Sequence, residues 1–209
     1  MKDEVTNELI VQTAGRIADQ VGLENLSLKE VAEKLEIRSP SLIFHVKSLK
    51  GLKNLLGKYT ARLLVAELME AGFGKSGLDA IAALGDVAAK FAFAHPGMYE
   101  SIQWKNIYYV PSDEEEPDYF EFQQITELFF RLFKESSLEE VEVSHIIRGF
   151  RCLIHGFATI AGHKGFGRLS DAAESFDYCL ALYLAGVERK LVEKRPGKGS
   201  LKGEGPSQL

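Results

Sequence analysis

Residues 22–56 read GLENLSLKEVAEKLEIRSPSLIFHVKSLKGLKNLL, and they hold two short helices with a tight turn between them. Ser27-Leu28-Lys29-Glu30 has the capping-box pattern, with Ser27 as N-cap and Glu30 three residues on. It opens a helix whose apolar side is Leu28, Val31, Ala32 and Leu35. Ser39-Pro40 opens the second. Serine can cap a helix, and proline suits the first helical position because the N–H it lacks would have no partner there. That helix is expected from Pro40 to about His45, three or four residues after the first.

Charge supports a nucleic-acid reading of this pair. Residues 36–62 hold Arg38, Lys47, Lys50, Lys53, Lys58 and Arg62 against Glu36, a local net charge of +5. The whole chain carries -5, which excludes a uniformly basic coat and leaves room for a basic patch. Residues 113–121 hold six acids and no base, so charge is polarised along the sequence. Two short helices, the second opened by Ser-Pro and flanked by lysines, read as a DNA-binding helix-turn-helix. The first braces and the second enters the major groove.

Outward from this stretch, helical spacing dominates. Val5, Leu9, Ile10, Thr13, Ile17, Ala18 and Val21 recur at steps of three and four, and Gly22 stops that helix. Further helices are expected over 48–71, 78–94, 118–135, 138–162 and 170–192, with a short one within 98–109. His95-Pro96-Gly97 breaks the chain, and Ser137 with Glu140 is expected to cap helix 138–162. The fold class is all-α: an N-terminal three-helix helix-turn-helix domain (1–47), a C-terminal helical ligand-binding and dimerisation domain (48–193), and a Gly/Pro/Lys-rich tail (194–209) expected to be disordered.

The run 22–56 resembles the DNA-binding domain of TetR-family transcriptional regulators. Gly22, Ser27, Ala32, Leu35, Ser41, Leu42, His45, Val46 and Leu52 fit the family pattern in register, and the match covers roughly residues 5–60. Two positions depart from it. Ile43 stands where the family usually has tyrosine, and Leu49 where it usually has lysine. Lys47 and Lys50 are the neighbouring cations expected to meet phosphate instead, with Lys29 at the start of the bracing helix. Arg38, Ser39, Ser41, Phe44 and His45 are the candidates for the groove. Arg38 can pair bidentately with a guanine edge. Phe44 either meets a thymine methyl or packs within its own domain. His45 contacts either bases or phosphate.

The resemblance implies a homodimer on double-stranded DNA, a palindromic operator and a small organic effector. The helices over 143–161 and 172–187 are apolar nearly all round, so they need cover on more than one side, either as the centre of a monomer core or, as the resemblance implies, in an intersubunit four-helix bundle. An aromatic-dense sector between the two halves is the expected effector pocket, with Phe91, Tyr99, Trp104, Tyr108, Phe129, Phe133 and His155 as its candidate lining. His155 is either a polar group of that pocket or a satisfied core histidine. HPGMY (95–99) and the His155-Gly156 pair also resemble the ligand domain of one TetR subgroup, with Arg151 where that subgroup usually has tryptophan.

Other classes find less support. There is no Gly-rich phosphate loop, HExxH, CxxC or nucleophile elbow, so no catalytic residue is expected. His95, His145, His155 and His163 lack metal-ligand spacing, so neither metal nor cofactor is expected. No apolar run of membrane-spanning length occurs and the acidic N-terminus has no signal-type core, so a cytoplasmic chain is expected. Cys152 and Cys179 read as small buried thiols. The remaining alternative is a helical scaffold or small-molecule binder without DNA binding.

Overall fold

The computed structural model describes residues 5–104, 120–134, 136–167 and 171–193, and all regular structure among them is helical. Four helices follow one another at the N-terminal end: α1 (Asn7–Val21), α2 (Leu28–Lys34), α3 (Ser39–Val46) and α4 (Leu49–Gly72). Then come α5 (Gly77–Ala94), α6 (Pro96–Trp104), α7 (Phe120–Leu132), α8 (Glu140–Gly162) and α9 (Ala172–Glu193). The acidic residues 113–119 and the tail 194–209 lie outside the described residues.

Local chemistry sets the boundaries. Thr6 Oγ1 accepts from the Leu9 N–H and Ser27 Oγ from the Glu30 N–H, each at 3.2 Å, so both helices start on a hydroxyl cap. Gly22 leaves α1 with φ +86°, a left-handed conformation that glycine adopts without steric penalty, and its N–H donates to the Ala18 carbonyl at 2.8 Å. Ser48 Oγ caps α4 by accepting from the Gly51 N–H at 3.0 Å.

Two caps differ from expectation. The N-cap of α3 is Arg38, not Ser39; its carbonyl accepts from the Ser41 N–H at 2.9 Å, and Ser39 and Pro40 are the first two helical residues. Proline lacks a donor that is unpaired at either position, so it does not fix the start to one residue. Helix α8 is capped by Glu139, not Ser137. Glu139 and Glu142 form a reciprocal capping box, since a carboxylate accepts backbone N–H groups as a hydroxyl does. Val21, placed on the buried stripe of α1 by spacing, is exposed at the helix end.

Two hydrophobic clusters result. The first joins Ile10, Ala14 and Ile17 of α1 to Val31, Leu42 and Val46 of the helix pair and to Leu52 and Leu56 of α4. Leu42, Leu52 and Leu56 are fully buried, worth about 1.5–3 kcal/mol each. The second collects α5, α7, α8, α9 and the far half of α4 through Leu64 and Leu68. Helix α6 also serves both, with Met98 in the first cluster and Tyr99 and Ile102 in the second. Helices α4 and α6 therefore contribute to both clusters and connect them.

Candidate nucleic-acid interface

Helix α3 is anchored on one side and bare on the other. Leu42 and Val46, four residues apart, are buried against the first cluster. Ser39, Pro40, Ser41, Ile43 and Phe44 are exposed, Phe44 at 75%. The Phe44 ring therefore does not pack within its own domain. Arg38, Lys47 and Lys50 are exposed around this face, and Lys29 is exposed on α2. Lys29 Nζ lies 3.8 Å from a Glu33 carboxylate oxygen, a pair that solvent screens strongly.

The C-terminal end of α3 is ordered by side chains. Lys47 Nζ donates to the Phe44 carbonyl at 3.0 Å and sits 5.1 Å from the Phe44 ring centroid. A cation at a helix C-terminus is favoured by the helix dipole, and over a ring by its quadrupole. His45 is half-buried, with Nδ1 3.2 Å from Asn7 Oδ1 of α1. The turn into α4 passes through Lys47 at φ +63°.

In the aromatic sector, Phe91, Phe129 and Phe133 are buried in the second cluster, with the Phe129 ring 5.2 Å from that of Phe150. The Trp104 side chain and Tyr108 lie outside the described residues. Tyr99 is buried, and its hydroxyl shares a 2.7 Å hydrogen bond with His155 Nδ1. Burial, and secondarily the charge of Arg151, lowers the His155 pKa to about 4. In the unfolded chain His155 titrates near about 6.5, so the unfolded state binds more protons as pH falls below that value. The stability gained by keeping His155 neutral is present above about pH 6.5 and is lost down to about pH 4, a loss of roughly 3 kcal/mol. Urea melts across this range should show the decline, and His155→Gln should make it shallower.

Tyr99 also lines a cleft of about 800 Å³ between the end of α1, the α5–α6 corner, the end of α8 and the start of α9. Beside it lies a contact that sequence reading missed. Asp19 of α1 accepts the Met98 N–H at 2.9 Å through Oδ1 and meets His95 Nδ1 at 3.0 Å through Oδ2. A carboxylate from α1 thus caps the N-terminus of α6. HPGMY signals a helix start, but nothing local points to a partner 79 residues away.

Helices α8 and α9 turn Phe150, Ile154, Phe176, Leu180 and Val187 inward. The Tyr183 hydroxyl of α9 donates to the Ile146 carbonyl of α8, and burial pushes its pKa up to about 12. Their outer sides expose Val141, Ile160, Tyr178, Leu182 and Val192, beside Gly156 and Gly186, whose missing side chains would meet open space. Cys152, expected to be buried, is exposed on α8, and Cys179 is half-buried. Among the described residues, no three His, Cys, Asp or Glu side chains could hold a metal, and no helix is long and apolar enough to cross a membrane.

Comparison with known proteins agrees with this architecture. Residues 81–183 match the family model described as the tetracyclin repressor-like C-terminal domain. YobS of Bacillus subtilis, an uncharacterized HTH-type transcriptional regulator, is 26% identical over 183 residues, covering 88% of this chain and 93% of that protein. Among solved structures, a protein of unknown function from Rhodococcus superimposes with a TM-score of 0.69 at 17% identity, covering 88% of this chain and 96% of that one. A TetR from Acinetobacter baumannii superimposes with a TM-score of 0.66 at 13% identity, covering 90% and 99%.

Proposed function

Because this chain belongs to the TetR family of helix-turn-helix transcriptional regulators, we propose that it is a homodimeric, ligand-responsive repressor of a palindromic operator. The family and the curated relative are regulators rather than enzymes, and DNA binding is their means of regulation. The reading rests on one observation above others: α3 buries Leu42 and Val46 and exposes Ser39, Pro40, Ser41, Ile43 and Phe44, ringed by Lys29, Arg38, Lys47 and Lys50.

In this proposal residues 1–47 read the DNA, and residues 48–193 bind the effector and dimerise. Two copies join through the exposed sides of α8 and α9 and present two α3 helices about 34 Å apart, one turn of duplex. Arg38, Ser39, Ser41, Phe44 and His45 face base edges. Lys29, Lys47 and Lys50 neutralise phosphate, which sets affinity but carries no sequence information. A small apolar effector enters the aromatic sector around Phe91, Tyr99, Trp104, Tyr108, Phe129, Phe133 and His155. It weakens DNA binding by favouring a state whose recognition helices are misspaced, passed on through α4 and α6. The protein acts in the cytoplasm.

Arg38→Ala tests the base-reading assignment. Arg38 is exposed at the α3 N-cap, so its loss should leave the fold intact. Binding to a selected operator duplex should weaken by about 1–3 kcal/mol, with preference relaxed at one base step. An equal loss on every sequence would assign Arg38 to phosphate instead.

A further inference from the structure

Three apolar side chains stand together on the outer side of α3. Pro40, Ile43 and Phe44 are spaced i, i+3 and i+4, so they are neighbours on the helix surface, while Leu42 and Val46 face inward. All three are exposed, Ile43 at 43% and Phe44 at 75%. Lys47 Nζ lies 5.1 Å from the Phe44 ring centroid, and the His45 ring meets it edge-on at 5.8 Å. The surroundings are cationic, with Arg38, Lys47 and Lys50 exposed. The matching partner is polyanionic outside and apolar at the point of contact.

The polar inventory of the helix narrows the choice further. The helix sequence is SPSLIFHV, with no Asn, Gln, Lys or Arg to pair bidentately with a base. Its polar side chains are two serines, each with one short hydroxyl, and His45, whose Nδ1 is engaged by Asn7. Beyond Arg38 at its N-cap, direct readout by this helix is therefore dominated by apolar contact. In the major groove the apolar feature is the C5-methyl of thymine.

Resting on the DNA-binding reading above, we infer that Ile43 and Phe44 together read thymine methyl groups, which makes operator recognition methyl-dependent. Ile43 is thereby a specificity-determining residue, with a branched aliphatic side chain that has no hydroxyl to spend on phosphate. Removing the methyl, as uracil does, keeps every hydrogen-bonding group of the base pair and deletes only the contact in question.

The test uses the full chain and two pools of randomised duplex, one copied with thymidine and one with deoxyuridine. The best thymine duplex is then remade with uracil at one position at a time, and Kd is read by fluorescence anisotropy. At one or more thymines per half-site, Kd should rise about fourfold per methyl removed, and about fifteenfold when both half-sites are changed. In Ile43→Ala or Phe44→Ala the thymine–uracil difference at the matching position should vanish, while the salt dependence of binding stays as in the parent. Equal Kd on thymine and uracil duplexes throughout would overturn the inference. So would a thymine preference that survives in both variants. Retention of no duplex from either pool would overturn the DNA-binding reading itself, and with it this inference.

Discussion

Replacing Gly97 with alanine is expected to destabilise the protein by about 3 kcal/mol and to lower its thermal midpoint by about 6–12 °C. Gly97 lies at the start of α6, where that helix meets α1. A Cβ added there would overlap the Ala18 carbonyl group and crowd the Asp19 nitrogen. These are backbone atoms inside a helix, and the Ala18 oxygen is already committed to the Gly22 N–H. Helix α1 cannot yield, so α6 must lift away. Lifting breaks the contact of Asp19 with the Met98 N–H and with His95, adding the loss of a helix cap to the steric penalty. Urea denaturation of the variant beside the parent would measure this. A loss below about 0.5 kcal/mol would mean that α1 and α6 do not approach as closely as described.

Leu182→Glu should split the proposed dimer and weaken operator binding by at least about 100-fold. Leu182 is 59% exposed in the single chain, and Tyr178, one turn earlier, is 68% exposed. The packing of α9 onto its own protomer runs through Phe176, Leu180 and Val187, so the substitution should leave each protomer folded. In a twofold interface it would place two unpaired carboxylates in apolar surroundings, a heavy desolvation penalty. A monomer then holds one half-site at a time and loses the high effective concentration of its twin. Sedimentation should show a monomer with unchanged far-ultraviolet circular dichroism. A dimer that persists with parental operator affinity would place the subunit contact elsewhere.

The parts of this molecule visible in its sequence are those written in neighbouring residues. Ser27 and Glu30, the Gly22 stop and the spacing of Leu28, Val31, Ala32 and Leu35 act within one or two turns, so α1, α2 and α3 could be placed from the chain alone. The start of α3 shifted by one residue because proline is tolerated at either of its first two positions. The α8 cap falls on Glu139 rather than Ser137 because a carboxylate accepts backbone N–H groups as a hydroxyl does. The exposure of Phe44 was open in sequence, since an aromatic on an eight-residue helix can face either way; Leu42 and Val46 settle it by taking the inward side. The clasp of Asp19 on Met98 and His95 was invisible. Capping chemistry across 79 residues leaves no periodicity to read. The aromatic sector was legible as a composition, but not as a division between core and pocket. Phe129 and Phe91 are buried, Tyr99 is drawn into a bond with His155, and burial of this kind depends on which helices meet.

The central claim is that the outer side of α3, paired with that of a second copy, docks on duplex DNA. Titration of the full chain onto a selected palindromic duplex at several salt concentrations tests it most directly. The account predicts two protomers per duplex and an affinity that falls by about 10³-fold or more between about 50 mM and about 200 mM salt, as Lys29, Lys47 and Lys50 of each copy neutralise phosphate and release its counterions. A salt-independent affinity, or no binding to any duplex, would contradict it.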